Sequence, residues 1–444
     1  VARLSNSQSL IASYPFNGNA NDASGNGHHG TVNGATLSSD RFGNANSAYS
    51  FDGINDWIQV PNSPAFQFTA PFTLSAWVKP VAFNTSTNQS NFFLSKGYQG
   101  EQGNYFLQYG DFQDGNPGVL TPSQVTFGFH MLKGPTEWGA YQNPVTEPVQ
   151  LNSWYQVVGV YDGPTIKLYV NGSLKVTTAI SGGFGTLNGH PLMIGRSVDP
   201  AFSYWVNGLI DDIKIYNGVL TDQQIAEDYA NGSLVASYSF NGNANDASGL
   251  NNNGTVNGAS LTTDRFGNAN SAYSFDGNDW IEVNNNATLQ LSNSYTISVW
   301  VKANAFNPGP PNQSNFILAK GNQFNEGHYN LQYGDFLDGN TGVLTPSQMN
   351  FAGVIQKGGT EWGAYQNPVT QPVELSKWYQ VVSTFDGTTV KLYVNGVLKA
   401  STVVSGTFGA LNTQNLFIGR SAEGGYYING VIDDVKIYNS TIPA

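Results

Sequence analysis

The sequence predicts an all-β chain made of two antiparallel β-sandwich domains in tandem, and three observations carry that prediction. First, the chain repeats itself. Ser13–Gly53 (SYPFNGNANDASGNGHHGTVNGATLSSDRFGNANSAYSFDG) returns as Ser237–Gly277 (SYSFNGNANDASGLNNNGTVNGASLTTDRFGNANSAYSFDG). TEWGAYQNPV at Thr136–Val145 returns at Thr360–Val369, and KLYVNG at Lys167–Gly172 returns at Lys391–Gly396. A period of about 220 residues is far too long for a solenoid unit, so each copy is one whole domain. Second, short strand patterns broken by Gly, Asn, Asp and Pro recur about every ten residues without intervening helices, which argues for a sandwich or jelly roll. Third, charged residues make up only 11% of the chain while glycine is abundant at 51 residues, a balance that suits many turns.

Taken in order, Phe72–Val78 (FTLSAWV), Trp154–Tyr161 (WYQVVGVY), Ile166–Val170 and Ile210–Tyr216 read as strands. The alternation in TLSAWV and DIKIY marks strands with one buried face. Asp162-Gly163 and Asn171-Gly172 read as hairpin turns, because Asp, Asn and Gly tolerate positive φ. One helix is expected over Thr221–Tyr229 (TDQQIAEDY), where Thr221 and Gln224 form a capping box. It leads through Asn231-Gly232 into the second copy, so the domains are set at residues 1–230 and 231–444. The chain opens on Val1 rather than Met, and Arg3–Leu10 looks like the tail of a preceding unit. These features read as a mature or excised segment of a longer modular protein, with other domains of that parent chain as possible partners.

Composition excludes several classes. The chain of 444 residues is 40% hydrophobic and 13% aromatic, enough for two cores and too apolar for disorder. Net charge is −12, with only 18 scattered Lys and Arg, so no basic patch exists to neutralise nucleic-acid phosphates. There is no cysteine, hence no disulfide and no thiolate metal site. No apolar run reaches membrane-spanning length, so no membrane insertion is expected.

The order of motifs resembles the laminin-G-like, concanavalin A-like (lectin/glucanase) jelly roll of bacterial secreted and surface proteins. The residues that carry the resemblance are Tyr14–Asn26 (YPFNGNANDASGN), Ser47–Gly53 (SAYSFDG), Phe72–Pro80 (FTLSAWVKP) and Trp154–Gly163 (WYQVVGVYDG). KLYVNG, Leu192–Arg196 (LMIGR) and Gly208–Leu220 (GLIDDIKIYNGVL) complete the set, and the second copy repeats it. The resemblance implies two face-to-face antiparallel sheets, one of them curved, in an extracellular, secreted or cell-surface protein. It also implies one structural calcium per domain, where the first-strand loop meets the last strand. Calcium takes several hard oxygens. In this sequence the implied ligands are Asp22 and Asp211, with Asn17 as a weaker one, and Asp246, Asp433 and Asn241 in the second copy. Asp211, Ile213 and Ile215 are expected to share the inward face of the last strand, which would leave a buried carboxylate in need of a cation or donors. The alternative for Asp22 is a turn residue that caps backbone amides.

Both copies depart from the family's short, variable connection between the WVK and WYQVV strands. The first carries NQSNFFLSKG, YFLQYGDFQDGNPGVLTPSQ and TEWGAYQNPV, and the second carries close counterparts. Planar polar groups and aromatic rings concentrate there. Sugars present C–H faces that stack on rings and hydroxyls that suit amides and carboxylates. The candidate ligand-binding residues are Gln108, Tyr109, Asp111, Trp138, Tyr141, Gln142 and Asn143. Their counterparts are Gln332, Tyr333, Asp335, Trp362, Tyr365, Gln366 and Asn367. The competing reading makes the aromatics core residues of the curved sheet.

The duplication also works as an internal control. The GxGxxG match at Gly25–Gly30 and the pair His28-His29 have no counterpart in the second copy, which reads GLNNNG; neither is a nucleotide loop or a zinc pair. A glycosidase needs two placed carboxylates. The E-x-D-x-x-E strand of related glucanases is absent, and the one shared glutamate, Glu137 or Glu361, has only Asp111 or Asp335 to pair with. A lyase would want an arginine for uronates, and Arg196 and Arg420 are the shared arginines near a sheet centre. The expectation is therefore a non-enzymatic lectin-like module binding a polysaccharide or glycan. The alternatives are a structural or protein-binding adhesin module and, behind it, a polysaccharide-degrading enzyme.

Overall fold

The structure, a computed structural model, describes residues 8–83, 90–98, 100–112, 121–134, 136–199, 204–306, 314–336, 346–366, 369 and 371–442. The chain divides into two compact units, Val1–Tyr229 and Ala230–Ala444. In the first, the strands are β1 (Ser9–Tyr14), β2 (Thr31–Asn33), β3 (Thr36–Ser38), β4 (Ala48–Asp52), β5 (Trp57–Val60), β6 (Phe72–Ala82) and β7 (Ser90–Lys96). They continue as β8 (Tyr105–Asp111), β9 (Val125–Lys133), β10 (Thr136–Tyr141), β11 (Tyr155–Tyr161), β12 (Thr165–Val170), β13 (Ser173–Ala179), β14 (Leu192–Ile194) and β15 (Asn207–Asn217). An eight-stranded antiparallel sheet has the order β13-β12-β11-β6-β15-β4-β3, with β1 also paired to β15. A seven-stranded sheet has the order β10-β9-β8-β7-β14-β5-β2. The second unit repeats both sheets, from Leu234–Tyr238 to Asn429–Tyr438. This is the tandem all-β fold that the sequence predicts.

Alternation builds the core. Phe72, Leu74, Ala76 and Val78 of β6 and Tyr105, Leu107 and Tyr109 of β8 are at most 1% exposed and belong to one apolar cluster between the sheets. Each large apolar side chain taken out of water in this way contributes about 1.5–3 kcal/mol. The opposite face of the eight-stranded sheet is covered locally by helix α1 (Asp222–Ser233), whose Ile225 packs with Val158, Val160 and Tyr169. The capping box is formed: Gln224 N–H donates to Thr221 Oγ1 at 3.2 Å and Thr221 N–H donates to Gln224 Oε1 at 2.9 Å. Tyr229 stacks on Trp77 of β6 with ring centroids 5.6 Å apart. The hairpin at Asn171-Gly172 has positive φ at both residues, +52° and +73°.

The last strand departs from simple alternation. Between Asp211 and Lys214 the register of β15 against β6 shifts, with Asp212 at φ +43°. This is a β-bulge, and one extra residue reverses which way the following side chains point. Asp211 therefore pairs with Trp77 and lies on the outer face, while Ile213 and Ile215 face the core. The expectation that Asp211 shares the inward face with them is corrected. Arg41, from the loop between β3 and β4, donates to Asp211 Oδ2 and Asp212 Oδ2, each at 2.7 Å. Its guanidinium also lies 4.5 Å from the Trp77 ring centroid. Arg265 makes the same contacts to Asp433 and Asp434, at 2.6 Å each, over Trp300. One guanidinium thus serves two carboxylates. Burial, reinforced by Asp212 and opposed by Arg41, raises the Asp211 carboxyl above its ordinary value.

Two outcomes follow for stability. Ile225→Ala removes a side chain with no exposure and is expected to cost about 2–4 kcal/mol in urea unfolding of the first unit. Arg41→Met leaves the bulge carboxylates uncompensated at side-chain exposures of 6% for Arg41 and 3% for Asp211. A loss of about 3–5 kcal/mol is expected, and an unchanged unfolding midpoint would show that the guanidinium does not hold the bulge.

Candidate functional site

The face of the seven-stranded sheet that points away from the core is where polar and aromatic groups gather. Register fixes its membership. Phe92 pairs with Gln108, Gln108 with Gly128, and Gly128 with Tyr141. In the next row Ser95 pairs with Phe106, Phe106 with His130, and His130 with Gly139. The rings form a continuous run. Tyr204 stacks on Phe92 at 4.8 Å, Phe92 meets Phe106 at a tilt at 4.6 Å, and Phe106 stacks on His130 at 5.3 Å. His130 then stacks on Tyr141 at 5.7 Å with an interplanar angle of 2°, and Tyr141 meets Phe112 at 5.2 Å. Gly139 makes this possible: a Cβ there would fall 2.7 Å from the His130 ring and 3.0 Å from that of Tyr141. Burial pushes the His130 imidazole down to about 4, so it is neutral near pH 7.

At the other end of the same face, Trp57 of β5 and Trp205 lie 5.9 Å apart, and Arg196 sits against both, 5.4 and 4.4 Å from their ring centroids. Gly195 places Arg196 there. It has φ +89° directly after β14, and a Cβ would lie 2.4 Å from the Phe51 ring. The second unit keeps the ends and changes the middle. Arg420 lies 4.3 Å from both Trp280 and Phe417, and Tyr365 meets Phe336 at 5.2 Å. Between them, however, stand Asn330, whose Nδ2 is 2.8 Å from His328 Nε2, and Val354 opposite it.

Several buried polar atoms on this face have no hydrogen-bond partner among the described residues. They are Gln108 Oε1 and His130 Nε2 in the first unit, and Asn330 Oδ1, Gln332 Oε1, Asn350 Oδ1, Gln356 Oε1 and Glu361 Oε2 in the second. Gln108 and Gln332 are each 3% exposed, whereas Tyr141, Tyr365, Trp57 and Arg196 are only partly buried. The face therefore has a deep-set polar floor and a more accessible aromatic rim. An unmet buried acceptor carries its full desolvation cost, about 1–3 kcal/mol, unless a donor reaches it.

The candidate residues separate accordingly. Gln108, Gln332, Tyr141 and Tyr365 lie on the outer face. Tyr109 and Tyr333 do not: both are fully buried between the sheets, which corrects their expected contact with a ligand. Trp138 packs against the core cluster with Nε1 donating to Lys133 O, and Trp362, opposite buried Ile355, donates to Lys357 O. Those two tryptophans are core-edge residues, a second correction. Asp111 accepts from Thr121 N–H at 3.0 Å, fixing the approach to β9, and Asp335 holds the matching place opposite Met349. Gln142 Oε1 accepts from Glu147 N–H at 3.4 Å. Gln366 is buried and lines a separate hollow of about 450 Å³ with Phe351, Tyr379 and Lys399. Asn143 is exposed, and Asn367 lies outside the described residues. Sequence reading missed Trp57, Phe92, Phe106, His130 and Trp205 as members of the face; alternation within YFLQYGD was the available signal.

The shared carboxylates do not converge. Glu137 pairs with Leu132 of β9 and Asp111 with Val125. Seven residues of strand put them roughly 20 Å apart and, being an odd number, on opposite faces. Paired glycosidase carboxylates stand about 5–10 Å apart. Glu361 and Asp335 repeat this arrangement, opposite Gln356 and Met349.

The calcium residues likewise do not make a cation site as placed. Asp22 Oδ1 accepts from the N–H groups of Ser13 and Ser24, and Oδ2 from Ser24 Oγ and His28 N–H, at 2.8–3.0 Å. Burial would raise this carboxyl, but those donors hold it below its ordinary value. Asp246 is held the same way by Ser237, Ser248 and Asn252. Asp211 and Asp433 are occupied by the guanidinium groups of Arg41 and Arg265. Asn241 lines a hollow of about 220 Å³ together with Arg265 and Asp433, and Asn17 is exposed. Among the described residues no three acidic or histidine side chains are grouped for a metal.

Comparisons with known proteins place the chain in a family. No curated protein sequence matches the chain. Among solved structures, domain 4 of AbnA, a GH43 extracellular arabinanase from Geobacillus stearothermophilus in complex with arabinotriose, is 19% identical. That match covers 50% of this chain and 98% of the other, with a TM-score of 0.37. The binding domain of botulinum neurotoxin DC in complex with SialylT is 12% identical, covering 96% and 94%, with a TM-score of 0.40. Domains LG4-5 of the mouse laminin alpha1 chain are 11% identical, covering 92% and 93%, with a TM-score of 0.28. The family match is the stronger finding, because it spans residues 52–226 and 275–444, one stretch in each unit. The chain belongs to the concanavalin A-like lectin/glucanases superfamily.

Proposed function

We propose that the chain is a non-catalytic carbohydrate-binding module of an extracellular or cell-surface protein, and that the outer face of each seven-stranded sheet holds the glycan. One observation carries this reading: partly exposed rings flank buried amide oxygens that find no donor among the described residues. A sugar offers a C–H face for the accessible rings of Tyr141 or Tyr365, and hydroxyls that suit the polar groups around them. The separation of Glu137 from Asp111 supports binding over hydrolysis. Calcium at Asp22 and Asp211 is not part of this proposal, because their oxygens already take protein donors.

A glycan array probed before and after chelation is expected to show binding that does not change with chelator; binding of no glycan in either state would overturn the reading. Tyr141→Ala with Tyr365→Ala is expected to weaken binding about five- to tenfold through lost stacking. Trp138→Ala with Trp362→Ala should instead lower the melting temperature, since those rings pack inward.

His130 gives a pH signature. Its folded pKa, about 4, lies below the ordinary 6.5. Its contribution to stability is therefore complete above pH 6.5 and is lost as pH falls through 4. His130→Val, the residue found at Val354 in the second unit, is expected to flatten that part of the stability–pH curve. Ligand binding by the unchanged chain should be constant between pH 7 and 8.

A further inference from the structure

The chain's four described arginines fall into two pairs with opposite surroundings. Arg41 and Arg265 are each neutralised by two aspartates. Arg196 and Arg420 make no ion pair among the described residues, although a half-buried guanidinium is normally met by an acceptor. Arg196 Nε donates at 2.7 Å to Ser197 O, and its plane is held by Trp57 and Trp205. Arg420 Nε is buried with no hydrogen-bond partner among the described residues, and the guanidinium lies against Trp280 and Phe417. Trp280 Nε1, beside it, is a second buried donor without an acceptor.

The nearby carboxylates do not fill the gap. Burial draws Arg196 below its ordinary value and Asp199 opposes this electrostatically. The matching residue in the second unit, Glu423, instead accepts from Gln323 N–H. Glu282, on the strand of Trp280, accepts from Asn415 at 2.6 Å. What remains in both units is a rigid planar cation, unspent N–H donors and aromatic rings on the outer face of the sheet. A guanidinium fork matches a planar or tetrahedral oxyanion, and an adjacent ring suits the sugar that bears it.

We propose that Arg196 and Arg420 each bind an oxyanion carried by a saccharide, a carboxylate or a sulfate ester, so that the chain prefers acidic glycans. This rests on the glycan-binding reading above and adds the ligand class. The chain's net charge of −12 repels densely charged polymers at long range, which points to glycans with isolated acidic groups.

The test is titration of the full chain with matched oligosaccharides of one backbone: neutral, uronate-bearing and sulfated. The expected result is at least tenfold tighter binding of an acidic member than of the neutral one, with the better acidic member identifying the anion. Arg196→Gln with Arg420→Gln should bring the acidic-to-neutral ratio to about one. Arg196→Lys with Arg420→Lys, which keeps the charge but loses the fork, should leave only a partial preference. Equal binding of all three by the unaltered chain would overturn this inference and leave the glycan reading standing. Binding of none would overturn both.

Discussion

Everything at the candidate site depends on the two-residue period of a strand whose one face is committed to the core. In β8, Tyr105, Leu107 and Tyr109 are drawn between the sheets by the burial of three large side chains. Phe106 and Gln108 are then forced onto the other face, because a one-residue slip would expose all three. The same rule sends Trp138 inward and Tyr141 outward along β10. The ring run from Tyr204 to Phe112 is thus the complement of the core, produced by the same strands. Glycine sets its depth, since Gly128 and Gly139 leave room for the His130 ring to lie flat across β9 and β10.

The bulge in β15 breaks the period at two adjacent aspartates, and a guanidinium is placed over it. Taking two aspartates out of water costs several kcal/mol per ion, and the cost is recovered only with close, well-aligned partners. Arg41 meets both carboxylates while its face rests on Trp77, which in turn carries Tyr229 of α1. The chain therefore supplies its own cation at the strand where the family resemblance implies a metal. Asp22 is resolved differently, by four donors from its own loop and β1, so its carboxylate acts as a backbone cap. Both carboxylates thus take their partners from the protein, Asp22 from four donors and Asp211 from Arg41 and the Asp212 N–H.

The fold was legible because its determinants are local and repeated. Alternation in FTLSAWV, the Asn171-Gly172 turn and the Thr221–Gln224 box are each set within a few residues, and the duplication gives each of the first two a second reading. The candidate site was legible in part. Gln108, Gln332, Tyr141 and Tyr365 were recovered from residue chemistry, but chemistry without parity also admitted Tyr109, adjacent to Gln108, and Trp138, an odd number of residues from Tyr141. Asp211 shows a harder limit. Its inward orientation follows from simple alternation in DDIKIY, and only the positive φ of Asp212 reverses it. Arg196 was visible as a shared residue, but its stacking on Trp57 and Trp205 joins segments distant in sequence and has no local signal.

Comparison of the two units then separates what the face requires from what it tolerates. The centre is rebuilt from stacked rings, Phe106 on His130, into a hydrogen-bonded pair, Asn330 with His328, and Val354. Such an exchange is cheap on this side because no second sheet packs against it, whereas the inward Tyr105 and Tyr329 are both kept fully buried. The two ends of the face are kept as well: Trp57 and Arg196 match Trp280 and Arg420, and Tyr141 with Phe112 matches Tyr365 with Phe336. Core packing explains none of these four end positions, since all lie on the outer side. Under the proposed function, a binding role common to both units falls to those ends, and any difference in ligand between the units falls to the centre.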